Sequence, residues 1–271
     1  MTVVEGKVIE KVNEVEETLL ARTTPNPFKG KWISILGGSA STFEGWIPSG
    51  NNSHYPNGYI DDDVTQTWWH QLITKLGAKL CVNASYAGIC VCSNGASSML
   101  VEDAQLHREP GTEYINIDGT TTEATERQDP DIILIDVGIV DFNNGIPAGT
   151  QEFTPGEPTE RNSFYSSLDT NIYTLINNYP NAAIYMLNIP YCGMGVGFMK
   201  QNKGGSRLCD YRAAIENCAK VYEFNVLHVN RIGVNGINKD EYTIVSGEPN
   251  EKMMTKIANQ CYNEMMASNC L

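Results

Sequence analysis

The chain has 271 residues, 41% hydrophobic and 19% charged, which is typical of a globular protein with a sizeable buried core. Its formal net charge of −13 argues against nucleic acids and anionic membrane surfaces as partners, because both repel an acidic surface. No apolar run approaches the roughly 20 residues that cross a bilayer, and no cysteine–histidine spacing indicates zinc. We therefore expect no membrane span, no metal and no cofactor.

The first predicted element is an amphipathic helix over residues 1–22. We weigh equally its packing on its own domain and its use in a homo-oligomer. The segment lacks the apolar stretch of a secretory signal, so we expect cytoplasmic synthesis. Residues 23–30 form a predicted linker and residues 31–271 a single domain. The helix rests on apolar residues that recur on one face: Val8, Val12, Val15 and Leu19.

From residue 31 onward, strand patterns alternate with helix patterns. Strands bounded by turns predict βαβ units, and hence a three-layer α/β/α sandwich around a mostly parallel sheet. In such a sheet the working site lies at the carboxyl ends of the strands. Short apolar runs predict the strands 31–36, 79–84, 131–138, 183–190 and 226–230. Helical periodicity predicts the helices 64–77, 163–179, 206–224 and 249–267.

Four short blocks follow predicted strands or open the last helix. They read GGSASTF at 37–43, NASYAG at 83–88, GIVD at 138–141 and VSGEPN at 245–250. Their order and spacing resemble those of the SGNH (GDSL-type) hydrolases, whose patterns are G-D-S-x-S-T-F, N-x-S-x-x-G, G-x-N-D and D-x-x-H-P-N. The resemblance spans about residues 31–267. It implies the SGNH hydrolase fold, with a flavodoxin-like central sheet, and ester hydrolysis by a serine nucleophile.

Carried over residue by residue, the resemblance implies a depleted catalytic site. Ser39 stands at the nucleophile position and Gly88 at an oxyanion position, and both match the family. Four positions do not: Gly38 replaces the aspartate before the serine, Val140 the oxyanion asparagine, Val245 the triad aspartate and Glu248 the triad histidine. We therefore predict that the chain is catalytically impaired.

The substitutions weaken each catalytic step. A serine needs a base to take its proton, and a glutamate at its ordinary pKa of ~4.3 is a weak base at neutral pH. Val140 cannot donate a hydrogen bond to an oxyanion, a loss of about 3–4 kcal/mol. Of the histidines, His54 follows the nucleophile block and is the best alternative base. His70 is expected to pack on its helix or face solvent, His107 lies in a polar stretch, and His228 is expected in the core.

Three functional hypotheses remain. The leading one is a pseudo-hydrolase that serves as a structural module or binds a glycan or acylated sugar in its cleft, where aromatic side chains could stack on sugar rings. The second is an active esterase or carbohydrate acetyl-esterase that uses Ser39 with Glu248 or His54. The third is a subunit of a phage virion or another large assembly. Asp136, inside an apolar strand, is interpreted as a structural hydrogen-bonding residue, with a remnant site contact as the alternative. The aromatic candidates, which could equally belong to the core, are Trp46, Tyr55, Tyr59 and Tyr86.

Overall fold

A computed structural model describes residues 26–58, 60–92, 104–157, 160–191, 200–244 and 247–268. The helix predicted over residues 1–22, with the oligomer and virion hypotheses that depend on it, lies outside these ranges, as do Tyr59 and Val245. Residues 26–30, from the predicted linker, form a turn on the domain. In that turn Phe28 is buried, and its ring lies 6.4 Å from that of Tyr185.

The core of the fold is a five-stranded parallel sheet in the order β2-β1-β5-β6-β7. Counting only the strands of this sheet, the order is 2-1-3-4-5, which confirms the predicted flavodoxin-like topology. Helices cover both faces, so the strands are nearly continuous apolar runs. The strands are β1 (Trp32–Gly37), β2 (Lys79–Asn83), β5 (Ile132–Asp136), β6 (Ala183–Leu187) and β7 (Asn225–Leu227).

Helices form a layer on each side of the sheet. On one face α1 and α6 pack together against alternate strand residues such as Ile33 and Leu134. On the other face α3 and α4 pack against the intervening residues, such as Ile133 and Ile135. No described helix has the length and apolar character needed to span a membrane. The helices are α1 (Trp68–Leu76), α2 (Ile139–Asn144), α3 (Phe164–Asn178), α4 (Leu208–Tyr222), α5 (Lys239–Tyr242) and α6 (Glu251–Ser268).

The polar stretch that begins at His107 contains a β-hairpin, β3 (Glu113–Ile115) paired antiparallel with β4 (Thr121–Glu123). Arg108, only 3% exposed, fastens it to the sheet edge by donating to the carbonyls of Leu80, Cys81 and Ile115. Its guanidinium also lies 4.9 Å from the Trp32 ring centroid and 5.2 Å from that of Tyr114. A buried charge is tolerated here because carbonyls and ring faces replace its hydration.

Candidate active site

The nucleophile position lies at the topological switch point of the sheet. Ser39 opens a single 3-10 turn (Ser39–Ser41) directly after β1, and β1 pairs with β5 on one side and with β2 on the other. Chain connections leave β1 and β5 in opposite directions at this point, which opens a crevice at their carboxyl ends. The Gly38 N–H donates to the Asp136 carbonyl at 2.9 Å and fixes the start of the turn beside the end of β5.

A buried hydrogen-bond chain supports this turn from below. Ser41 Oγ donates to Asp136 Oδ2 at 2.7 Å, and Trp68 Nε1 donates to Ser41 Oγ at 3.2 Å. A Cβ at Gly37 would lie 2.4 Å from Ser41 Oγ, so only glycine leaves room for this arrangement. Asn83 adds a tie from the second block, since its Nδ2 donates to the Ser41 carbonyl at 2.9 Å.

Glu248 is brought to the same place by a loop that precedes α6. The Ile244 N–H donates to the Glu248 carbonyl at 2.9 Å, and Tyr55 Oη donates to the Pro249 carbonyl at 2.6 Å. Asn250 then caps the helix, because its side chain accepts from the N–H groups of Lys252 and Met253. Glu248 is thereby placed beside Ser39, and both residues line the same cavity.

The acidity of Glu248 differs from the sequence-based expectation. Burial, together with the nearby charge of Asp136, raises the pKa of Glu248 to about 7, against the opposing effect of the Ser39 contact. The pKa of Glu248 therefore lies above the ordinary value of ~4.3 on which the prediction of a weak base rests. A base whose pKa lies near the working pH is the kind that general-base catalysis favours.

Ser39, Asp136 and Glu248 line one cavity of about 50 Å³. Its other walls are mostly apolar, and include Ile139, Leu187 and Ile189. Such a volume holds a few water molecules, so an acyl group that entered as the cavity stands would have to be small. None of the side chains that line it in the described part of the chain is a lysine, arginine or histidine.

The two oxyanion positions differ in what they offer. Gly88 has a φ of +96°, and neither its N–H nor that of Ser39 donates a hydrogen bond to a described residue. Val140 packs instead against an apolar cluster of Cys90, Cys92 and Ile146. The position that the family gives to an amide donor is therefore occupied by a side chain that packs inward.

Asp141, the acid retained after Val140, serves the structure. It is fully buried and accepts from the N–H groups of Val91 at 3.1 Å and Cys92 at 2.9 Å, and from Cys90 Sγ at 3.0 Å. Burial and this neighbouring carboxylate raise the pKa of Cys90 to about 12, so its thiol stays protonated. Across the described residues, no group of three or more His, Cys, Asp or Glu side chains is arranged to hold a metal ion.

The structure does not place a histidine in the cavity. The backbone N–H of His54 donates to Thr42 Oγ1 at 2.8 Å, which holds this residue beside the nucleophile turn. Burial lowers the pKa of the His54 imidazole. His70 packs with Nε2 2.8 Å from the Ile117 carbonyl, and His107 Nδ1 lies 2.8 Å from Tyr179 Oη. His228, expected in the core, is instead a partly exposed residue after β7, 3.2 Å from Glu216 and 3.3 Å from Glu264. The predicted strand 226–230 is shorter in the structure, since β7 ends at Leu227, and His228 therefore lies outside it.

The aromatic candidates that the structure describes lie in different surroundings. Tyr55 is 1% exposed and belongs to the core, and Tyr86 is half-buried and accepts a hydrogen bond from Asn52. Trp46 lines a different and wider groove of about 530 Å³, together with Tyr114, Gln105 and Thr112. Further along the same loop, Asn51 Nδ2 donates to the Ser85 carbonyl and the Asn52 carbonyl accepts from the Ala87 N–H, which ties this loop to the second block.

Solved structures of other proteins resemble this chain along most of its length. A protein described as a GDSL-like lipase from Bacteroides ovatus is 25% identical, with 88% of this chain and 99% of that chain covered and a TM-score of 0.61. A second, from Bacteroides uniformis, is 21% identical, with 88% and 96% covered and a TM-score of 0.61. A catalytic mutant of an acetylxylan esterase from Geobacillus stearothermophilus is 14% identical, with 89% and 96% covered and a TM-score of 0.53. The last two likenesses show the fold alone.

None of the curated proteins matches the chain. Residues 31–190 do match the family described as GDSL-like lipase/acylhydrolase, and this range is more than half of the chain. It includes Ser39, Gly88 and Val140 and ends before Glu248. This match agrees with the parallel sheet and with the serine turn at its switch point. The chain belongs to the GDSL-like lipase/acylhydrolase family.

Proposed function

We propose that this chain is a serine ester hydrolase in which Ser39 is the nucleophile and Glu248 the general base. One observation carries the proposal: Ser39, at the family's nucleophile position, and Glu248 line the same cavity, where burial and Asp136 raise the pKa of Glu248 to about 7. The substitution of histidine by glutamate then changes the base and does not remove it. The sequence-based hypothesis of a site without a working base loses its main support.

The chemistry follows from these two side chains. Glu248 takes the proton of Ser39 Oγ as that oxygen attacks the acyl carbonyl, and returns it to the departing alcohol. Water then attacks the acyl-serine ester by the same route, which releases the acid and restores Ser39 and Glu248. The N–H groups of Ser39 and Gly88 supply the oxyanion contacts. With valine at position 140, one donor is missing, and we expect turnover about 100- to 1000-fold below that of a complete site.

The small apolar cavity favours esters of short acyl groups, and the net charge of −13 disfavours an anionic alcohol part. An acylated neutral sugar meets both conditions. Acetylated sugar is also the kind of substrate named for the acetylxylan esterase among the similar structures.

Hydrolysis of p-nitrophenyl acetate tests the proposal. Wild type should release p-nitrophenol faster than the Ser39→Ala variant at pH 8, and Ser49→Ala, an exposed serine on the next loop, should match wild type. Glu248→Gln should lower the Ser39-dependent rate by about 100-fold or more. Equal rates for wild type and Ser39→Ala would refute the proposal.

A second candidate function, glycan binding without turnover, is favoured by the groove that Trp46 and Tyr114 line. Half-exposed aromatic rings beside amide and hydroxyl groups are suited to neutral sugars, and the groove lies within the usual size of ligand sites. It predicts binding of neutral oligosaccharides by calorimetry that is lost in Trp46→Ala. Tyr173→Ala, which removes an exposed ring on α3, is the control. Binding that Trp46→Ala leaves intact would exclude the groove.

A further inference from the structure

Asp136 is a second carboxyl in the candidate site, and neither the family pattern nor the chemistry proposed above uses it. It is the last residue of β5, after four buried apolar positions, Ile132–Ile135. One carboxyl oxygen, Oδ2, accepts from Ser41 at 2.7 Å. The other accepts no hydrogen bond from the part of the chain that the structure describes, and the residue lines the cavity that contains Ser39 and Glu248.

The surroundings of this carboxyl are unfavourable for charge. Burial raises the pKa of Asp136 despite the Ser41 hydrogen bond, and the Asp136 charge contributes to the raised pKa of Glu248. Two carboxyls that face one apolar cavity resist ionising together, so their protons are lost in two separated steps.

Other titratable groups around the pair do not supply a compensating cation. Tyr191, after β6, lines the cavity, and Cys261 of α6 is fully buried behind it. The Cys261 pKa is raised by burial, and by Glu264 and Asp136, so this thiol is neutral. The pair therefore has no positive partner among the described residues that line its cavity.

We propose that Asp136 is a positioning residue that holds the nucleophile turn through Ser41, and that it forms with Glu248 a carboxyl pair coupled by charge repulsion across one mostly apolar cavity. In the family pattern the carboxyl that accompanies the base comes from the last block, where this chain has Val245. In this chain the carboxyl that accompanies Glu248 comes from the end of β5. The catalytic consequence rests on the function proposed above, whereas the pairing itself does not require turnover.

The pairing is tested by following side-chain carboxyl carbons by ¹³C NMR as a function of pH in the full chain. The Glu248 signal is assigned as the one missing from Glu248→Gln. In Asp136→Asn, which keeps the size and the acceptor oxygen, we expect the Glu248 midpoint to fall by one pH unit or more. Asp240→Asn, at an exposed site on α5, should leave it unchanged. An unchanged midpoint in Asp136→Asn would overturn the pairing.

Should Asp136→Asn not fold, Ser41→Ala gives the same test. It removes the hydrogen bond that stabilises the Asp136 charge, so Asp136 should stay protonated to higher pH and the Glu248 midpoint should fall. A Glu248 midpoint that stays at the wild-type value in a folded Ser41→Ala would overturn the pairing.

Hydrolysis separates this inference from the proposed function. A Ser39-dependent rate whose pH midpoint moves down in Asp136→Asn supports both. A fall in the Glu248 midpoint by NMR without any Ser39-dependent rate supports the pair and refutes the esterase. A Ser39-dependent rate with an unmoved pH profile leaves the esterase and overturns the pair.

Discussion

Ser41 joins Trp68 to Asp136: it accepts from the indole at 3.2 Å and donates to the carboxylate at 2.7 Å. Its hydroxyl is completely buried, and its use of both roles satisfies two neighbours that have little access to water. The side chain two residues after the nucleophile thus links a helix of one layer to the end of a central strand. The geometry of the nucleophile turn depends on this link.

Ser41→Ala should destabilise the fold by about 1–3 kcal/mol, because it leaves the Trp68 N–H and an Asp136 oxygen without their partner. Urea denaturation at pH 7 measures the change. Ser49→Ala, at an exposed position on the neighbouring loop, should fall within about 0.5 kcal/mol of wild type. A Ser41→Ala variant as stable as wild type would show that water or a shifted side chain replaces the hydroxyl.

The free energy of unfolding of Glu248→Gln, relative to that of wild type, should be more favourable at pH 8 than at pH 5. The pKa of Glu248 is about 7 in the folded state and ~4.3 in the unfolded state, so the folded state holds the extra proton between these values. Its contribution is fully present below the unfolded pKa and is lost as the pH rises through about 7. Glutamine does not ionise and escapes this loss.

We expect the advantage of Glu248→Gln in the free energy of unfolding to grow by roughly 1–3 kcal/mol between pH 5 and pH 8, measured by urea denaturation. Glu251→Gln, an exposed site in the first turn of α6, is the matched control and should show no such growth. A constant difference across this range would contradict the raised pKa.

Val140→Asn should increase Ser39-dependent ester hydrolysis, by 10-fold or more, because it returns an amide donor to the family's oxyanion position. The measurement is kcat/KM for p-nitrophenyl acetate, and Val140→Leu, which is close to asparagine in size and has no donor, serves as the control. Since Val140 packs on Cys90 and Cys92, a loss of stability is expected as well. An unchanged rate in a folded variant would mean that the two backbone N–H groups act alone.

Arg108→Met should lower stability by about 3 kcal/mol or more, because three carbonyls lose their donor and the β3–β4 hairpin loses its tie to β2. Thermal unfolding gives the size of the change. Hydrogen exchange of the hairpin amides shows whether the loss is local. Arg127→Met, which removes an exposed arginine near the same hairpin, should change little.

The sheet and its helices could be predicted because buried parallel strands are apolar on both faces and leave a strong pattern, as in Ile132–Ile135. The β3–β4 hairpin was missed since Thr121, Thr122 and Glu123 are all exposed and give no alternation. Ser39 and Glu248 could be placed by family pattern. The pKa of Glu248 could not, because it depends on a cavity and on Asp136, more than 100 residues away in sequence. The sequence alone does not decide between a structural role and a site contact for Asp136, because the neighbours of this side chain are set by tertiary contact.

The Glu248 side chain takes no part in the described hydrogen bonds that fix its loop: the main-chain carbonyls of residues 248 and 249 accept from the Ile244 N–H and from Tyr55 Oη, and the Asn250 side chain caps the helix that follows. The shape of this loop therefore depends little on which side chain position 248 carries. Different proton acceptors can therefore be placed at position 248 without moving Ser39. Histidine, glutamate and aspartate can be compared there in one scaffold, which allows the contribution of base strength to be separated from that of position.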